Sequence, residues 1–183
     1  MTHFRKYGLA AGLAIGLVIG LVLGGMWPHT PIHASATDRI EQYAIATGFI
    51  DPETEGVFYL DYLTGNLNAA VLSRKSPAFQ AKYTANVHAD LKNAIAYAAQ
   101  SGNEIQVPQS PNYLMVTGSA NLTNVGRTIF GNTVVYVAET NTGIVLAYAV
   151  PWSREFHNAD KPVAGQLMLR AGEQFSAALL RTE

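Results

Sequence analysis

The feature that most constrains this chain is an uncharged apolar run at residues 7–27, built almost entirely of Leu, Ile, Val, Ala and Gly. At about 1.5 Å per residue, a helix of this length covers the roughly 30 Å hydrocarbon core of a bilayer. Trp27 lies where an interfacial aromatic side chain is expected. The run predicts a membrane-spanning helix, and of the 183 residues it leaves about 150 for one domain with an ordinary core.

The charges on the two sides of this run predict its orientation. His3, Arg5 and Lys6 precede it, whereas no fixed charge follows it until Asp38. By the positive-inside rule, the N-terminus is cytoplasmic and the bulk of the chain lies outside, in the periplasm. The absence of cysteine favours a bacterial envelope protein, anchored in the inner membrane. The predicted regions are a cytoplasmic flank (1–6), a transmembrane signal anchor (7–27), a juxtamembrane linker (28–37) and an extracytoplasmic domain (38–183).

The same segment also fits a cleaved signal peptide, because the small-x-small pattern Ala34-Ser35-Ala36 follows it. Cleavage after Ala36 would release a secreted protein that begins at Thr37. The apolar region of a secretory signal is usually about 7–15 residues, and this run is longer, which favours the uncleaved anchor. Mass spectrometry of the mature N-terminus distinguishes the two, since a start at Thr37 contradicts the anchor.

Glycine recurs at every fourth position of the apolar run. In lipid, small residues at this spacing let two helix backbones approach closely in a right-handed crossing. This glycine zipper predicts a homodimer formed through the anchor helix. The alternative is composition alone, because glycine is common in membrane segments. The zipper consists of Gly8, Gly12, Gly16, Gly20 and Gly24.

Two segments beyond the linker look like copies of one β unit. In each, an apolar run rich in β-branched and aromatic residues enters a Thr-Gly turn, at Thr64-Gly65 or Thr142-Gly143, and a second apolar run leaves it. This is the pattern of a β-hairpin whose glycine supplies a positive φ. A further matched strand precedes each hairpin, so each unit is a predicted three-strand meander. The two repeat units span about 43–74 and 113–154.

The Val-Tyr-Val strand and Thr-Gly turn of these units weakly resemble a blade of the quinoprotein-type or YVTN-type β-propellers. A propeller needs several blades at a spacing of about 40–50 residues, and this chain has two, farther apart. A complete propeller from one chain is therefore excluded, and the cofactor chemistry of that family is not expected. The whole chain is similar to uncharacterised bacterial envelope proteins with a signal anchor and a small β domain, a resemblance that implies no activity.

Between the two units, apolar residues recur every three or four positions instead of every second position. Val87, Leu91 and Ile95 lie on one face of an amphipathic helix predicted over 86–100. After the second unit, the alternation over 165–170 predicts another strand. The predicted fold is mainly β with some helix (α+β): two related antiparallel meanders with one amphipathic helix between them, arranged as a sandwich or a barrel.

Composition and motifs exclude several classes of chemistry. A formal net charge of −1 leaves no basic surface for phosphates, so nucleic acid is not an expected partner. Without cysteine the chain has no thiolate nucleophile and no sulfur-ligated zinc site. Neither a P-loop nor a Rossmann glycine motif lies between a predicted strand and a helix, so we predict no bound cofactor.

The remaining candidates for chemistry are histidines and carboxylates. His29 and His33 are four apart, but Pro31 removes the helix that would place them on one face, so we predict no metal site. Asp61 and Glu139 occupy equivalent places beside the two hairpin turns. Such a pair suits acid/base chemistry if the carboxylates face each other, but we favour solvent-facing turn residues and assign no catalytic residue.

One short segment is a candidate for contact with a partner protein. Pro151-Trp152-Ser153-Arg154 leaves the strongest predicted strand, and Trp and Arg are over-represented at interface hot spots. Trp152 and Arg154 therefore form the candidate partner patch. We expect a membrane-anchored, non-catalytic extracytoplasmic domain that binds or scaffolds envelope proteins. The alternatives are an extracytoplasmic hydrolase with an unrecognised site and a subunit of a multichain, propeller-like ring.

Overall fold

The structure is a computed structural model and describes residues 37–100, 102 and 105–176, together with Gly16. The chain divides into two compact units, Met1–His33 and Ala34–Glu183. The predicted anchor and its glycine zipper lie outside the described residues, apart from Gly16, which is helical. Within the described residues, the helices are too short or too polar to cross a bilayer.

The described part of the second unit contains ten strands and two helices. Strands dominate, which confirms the prediction of a mainly β fold. The strands are β1 (Thr37–Arg39), β2 (Tyr43–Asp51), β3 (Thr54–Asp61), β4 (Asn66–Leu72), β5 (Phe79–Asn86), β6 (Tyr113–Ser119), β7 (Phe130–Glu139), β8 (Ile144–Pro151), β9 (Val163–Gln166) and β10 (Met168–Gln174). The helices are α1 (Val87–Gln100), between β5 and β6, and α2 (Arg154–Asn158), between β8 and β9.

These strands form two sheets. Sheet A has the order β1-β2-β3-β4-β5-β9, and sheet B has the order β10-β8-β7-β6. Neighbouring strands are antiparallel except β5 and β9, which are parallel. The meanders β2-β3-β4 and β6-β7-β8 correspond to the two predicted units. The barrel alternative is wrong, because the described strands form two separate hydrogen-bonded sheets and neither closes on itself.

Both sheets bury one face, because buried and exposed residues alternate along their strands. In β3, Phe58 and Leu60 are fully buried, whereas Tyr59 between them is 38% exposed. Helix α1 adds Val87, Leu91 and Ile95 to the same core. The predicted amphipathic helix is therefore confirmed, one residue shorter at its start than expected.

The two sheets approach each other closely where β2 crosses β6 and β7. Thr117 Oγ1 donates a hydrogen bond to the Thr47 carbonyl, and Thr133 Oγ1 donates one to the Phe49 carbonyl, each at 2.6 Å. A Cβ atom on Gly48 would lie 2.7 Å from Thr133 Cγ2. Glycine is needed at this position because the threonine side chain packs directly on the backbone of β2.

At the opposite side of the domain the chain itself joins the sheets. Residues 165–170 alternate like one strand, but the structure divides them between β9 in sheet A and β10 in sheet B. Leu167, between the two strands, is buried and its N–H donates to the Thr84 carbonyl at 3.0 Å. The prediction of a single strand is therefore wrong, and the chain changes sheets at Leu167.

The two hairpin turns have matching geometry. Gly65 and Gly143 both have φ of 70°, and their N–H groups donate to the carbonyls of Asp61 and Glu139, each at 2.9 Å. This confirms the positive φ predicted from the Thr-Gly pairs. It also shows that the two turns are equivalent parts of the repeated unit.

Candidate functional site

A cleft lies where the chain passes from sheet A to sheet B. β5 leads directly into α1, and β9, parallel to β5, ends beside it before the chain continues into β10. The cleft is partly open to solvent and has a volume of about 570 Å³, within the roughly 300–1,000 Å³ range of small-ligand sites. It is lined by Asn66, Thr84, Ala85, Asn86, Ala89, Asp90, Gln166, Leu167, Met168 and Leu169.

Asp90 is the ionisable residue of this lining. It lies in the first turn of α1 and is half-buried. The Tyr148 hydroxyl donates to Asp90 Oδ2 at 2.9 Å, and Tyr148 itself is fully buried in β8. Burial, and secondarily the Asp90 carboxylate, raises the pKa of Tyr148 far above its ordinary value. The phenol therefore stays protonated and holds one carboxylate oxygen, while Asp90 Oδ1 has no hydrogen-bond partner among the described residues.

Asn86 forms one corner of the cleft because it caps α1. Its Oδ1 accepts from the Ala89 N–H at 2.9 Å, the usual contact of an N-cap side chain. Its Nδ2 donates to the Thr64 carbonyl and to Asn66 Oδ1, each at 3.1 Å. These contacts fix the start of α1 against the turn between β3 and β4, and with it the position of Asp90.

The other side chains of the cleft include polar ones without a hydrogen-bond partner among the described residues and apolar ones. The side chains of Thr84 and Gln166, which are opposite each other in the parallel pair, make no hydrogen bond with other described residues. Leu167 is buried, and Leu169 is 38% exposed. Free polar groups beside an apolar wall are the usual composition of a small-ligand site.

The candidate partner patch does not line this cleft. Trp152 is only 8% exposed, and its indole N–H donates to the buried Asp51 carboxylate at 2.9 Å. Arg154 Nη2 lies 2.9 Å from Glu53 Oε2 and remains about half exposed. The structure thus accounts for Trp152 as a core residue, and contact of Arg154 with a partner stays a prediction.

His157 belongs to a buried polar network around Trp152. Its ring lies 5.0 Å from the Trp152 ring, and its Nδ1 is 2.6 Å from Gln80 Oε1. Its Nε2 is buried without a partner among the described residues. Burial lowers the pKa of His157, so the neutral ring is favoured at this position and ties α2 to sheet A.

Asp61 and Glu139 both serve the hairpin turns. Asp61 Oδ1 accepts from the N–H groups of Leu63 and Thr64, at 2.9 and 3.2 Å, and the Thr64 side chain is the main cause of a lowered Asp61 pKa. Glu139 is 1% exposed, so the expectation that it faces solvent is wrong. Its oxygens accept from Thr142 N and Oγ1, at 2.7 and 2.8 Å. Neither carboxylate lines the cleft.

The histidine candidates give no metal centre in the described part of the chain. His29 and His33 lie outside the described residues. Among the described residues, no group of three or more His, Asp or Glu side chains is placed to hold a metal ion. His88 and Asp90, two residues apart on α1, contact different partners: the His88 ring stacks on Tyr113 at 5.6 Å, whereas Asp90 contacts Tyr148.

Sequence reasoning missed the cleft because its polar side chains come from three separate stretches of the chain: the start of β4, the continuous stretch from β5 into α1, and β9. Thr84 and Gln166 meet only because β5 and β9 pair in parallel, and no short-range pattern announces such a pairing. The contact of Asp90 with Tyr148 is likewise a tertiary one. Comparison with protein-family models, curated proteins and solved structures returned no significant match.

Proposed function

We propose that this chain is a membrane-anchored, extracytoplasmic, non-catalytic binding domain that takes a small polar ligand in the cleft between β5, α1 and β9. The observation that carries the proposal is the position of the cleft. Open sheets commonly bind ligands at the carboxyl ends of parallel strands, at the point where the strand order changes. β5 and β9 are the parallel pair at one edge of the otherwise antiparallel sheet A, and their carboxyl ends meet at the cleft. There, Thr84, Gln166 and the Oδ1 atom of Asp90 have no side-chain hydrogen-bond partner among the described residues.

Two further features support binding rather than catalysis. Both oxygens of Glu139 and the Oδ1 atom of Asp61 accept hydrogen bonds that hold the turns and their neighbours, so these atoms are already used by the fold. The ring of His157 is held by Gln80 and Trp152, away from the cleft lining. A general acid and a general base must both reach the same reacting group. Among the described residues, Asp61, Glu139 and His157 are not placed to do so.

The binding part of the proposal is tested by filling the cleft. Ala89→Trp places an indole in the lining, whereas Ala96→Trp places one on an exposed position of the same helix and serves as the matched control. Saturation-transfer NMR with a mixture of small polar fragments should show binding to the wild type and to Ala96→Trp, and loss of that binding with Ala89→Trp. Equal binding by all three proteins would contradict the proposed site.

The location is tested with single cysteines, because the natural chain has none. Leu63 is 86% exposed and accepts the substitution Leu63→Cys without loss of packing; Thr2→Cys marks the predicted cytoplasmic flank. We expect a membrane-impermeant maleimide to label Leu63→Cys in cells with a permeabilised outer membrane, and Thr2→Cys only after lysis. The reverse pattern would contradict the predicted orientation.

A further inference from the structure

The cleft has an electrostatic character that its polar composition alone does not reveal. Among the residues that line it, Asp90 is the one with an acidic or basic side chain. The ion pairs within the described residues both involve Glu53, with Arg74 and Arg154, so Asp90 has no cationic partner there. A half-buried carboxylate without a counter-charge gains most from a cation that enters beside it.

Tyr148 prepares Asp90 for such a cation. The fully buried phenol holds Oδ2 at 2.9 Å, which fixes the carboxylate plane and leaves Oδ1 to accept from a ligand. The Thr84 hydroxyl and the Gln166 side-chain carbonyl are two further acceptors in the same lining. A primary ammonium group carries three N–H donors, one of which Asp90 Oδ1 can accept.

An anionic ligand is disfavoured at the same place. No Lys or Arg is among the lining residues, and Arg170, which donates to Met168 Sδ at 4.0 Å, forms no ion pair with Asp90. An anion would therefore meet the Asp90 carboxylate. The start of α1 offers little in return, because the Val87 N–H donates to the Gly65 carbonyl and the Ala89 N–H to Asn86. The backbone donors that make a helix N-terminus attractive to anions are thus largely used within the fold.

We propose that the ligand of this cleft is a small primary amine, whose ammonium group is held by Asp90 and whose apolar part packs on Leu167 and Leu169. This inference rests on the proposed function, because it names the ligand class of the same cleft. Tyr148 is a positioning residue in it, acting on the ligand through Asp90.

The test uses the full chain in phosphatidylcholine nanodiscs with 13C-methyl-labelled methionine. Met168 lines the cleft, whereas Met115 is buried in β6 and serves as the internal control. The probes are isobutylamine and isobutanol, which have the same carbon skeleton and differ in charge. We expect both to shift the Met168 resonance and leave Met115 unchanged, with the amine half-saturating at a concentration at least about tenfold lower, as a charge-assisted contact implies.

Two substitutions identify the group responsible. Asp90→Asn should bring the half-saturating concentration of isobutylamine up to that of isobutanol, while isobutanol itself is unaffected. Thr84→Val, which removes one acceptor, should weaken the amine by a smaller factor. The control Glu173→Gln removes an exposed carboxylate from β10 outside the lining and should leave the amine preference unchanged.

The outcomes separate this inference from the proposed function. Equal affinity of wild type for both probes, or an amine preference that survives Asp90→Asn, would overturn the amine inference while leaving a binding cleft. If neither probe shifts Met168 more than Met115 at high concentration, both the amine inference and the proposed binding cleft are overturned. If Asp90 only stabilises the start of α1, its replacement lowers the melting temperature without changing the ratio of the two affinities.

Discussion

The two carboxylates beside the hairpin turns differ in burial although they occupy equivalent positions. Glu139 is 1% exposed and accepts four hydrogen bonds. Its donors come from its own turn and from Asn112, which precedes β6. Asp61 is partly exposed, and its carboxylate bonds lie within its own turn. In the second copy the carboxylate therefore joins its turn to the segment before β6, whereas in the first copy it stabilises its own turn alone.

This difference predicts unequal costs for removing the charge. With Glu139→Gln, the amide NH₂ group faces N–H donors whichever way it is turned, so we expect the free energy of unfolding to fall by about 2–4 kcal/mol. With Asp61→Asn, the side-chain carbonyl can keep its turn bonds, so the loss should be much smaller. Urea denaturation of both variants measures this, and a loss for Asp61→Asn as large as that for Glu139→Gln would contradict the assignment.

The short helix α2 is joined to sheet A by side-chain contacts as well as by the chain. Ser153 caps it, accepting from the Phe156 N–H, and His157 reaches Gln80 in β5. Lys75 Nζ donates to the Asn158 carbonyl at 2.7 Å. The Trp152 indole extends the same network to Asp51 at the end of β2. These contacts hold α2 against sheet A just before the chain enters β9, which borders the cleft.

The network predicts a pH-dependent stability. Burial lowers the folded-state pKa of His157 below its ordinary value of 6.5, opposed by Asp51 and Asp160 and assisted by Arg74. Below that value the unfolded state binds more protons than the folded state, so stability falls as the pH falls through 6.5. We expect His157→Gln, which does not titrate, to lose less stability between pH 7.5 and pH 5 than the wild type. Parallel pH profiles of the two proteins would show that His157 has no such role.

The predicted anchor helix gives a separate prediction. If the glycine zipper brings two anchors together, replacing Gly12, Gly16 and Gly20 by Leu removes the close backbone approach but keeps the segment apolar. Membrane insertion should be unchanged, and association in a bacterial membrane two-hybrid assay should be lost. Replacement of Ala10, Ala11 and Ala14 by Leu is the matched control. Association that survives the glycine replacements would indicate that the glycine spacing is only composition.

At the scale of elements, much could be predicted because local patterns are strong. The two Thr-Gly turns, the meanders around them and α1 all follow from period, β-branched content and glycine position. The division of residues 163–174 between two sheets could not be predicted, since the alternation continues across Leu167. The placement of Trp152 in the core also depends on a distant partner, Asp51, which no local pattern identifies.

At the scale of the whole molecule, the cleft follows from topology. The sheets are held together on one side by the contact of β2 with β6 and β7, and on the other by the passage of the chain from β9 to β10. That passage ends the parallel pair beside the start of α1 and leaves Thr84, Asp90 and Gln166 lining the same cleft. The candidate site is therefore a product of tertiary arrangement, which explains why no sequence motif announces it.

The most direct test of the central claim is a crystallographic fragment screen of the protein with small polar compounds, including primary amines. We expect bound fragments to concentrate between Asp90 and Gln166, with amines nearest the Asp90 carboxylate. Fragments that gather elsewhere on the domain, around Arg154 for example, while the cleft between β5, α1 and β9 holds none, would contradict it.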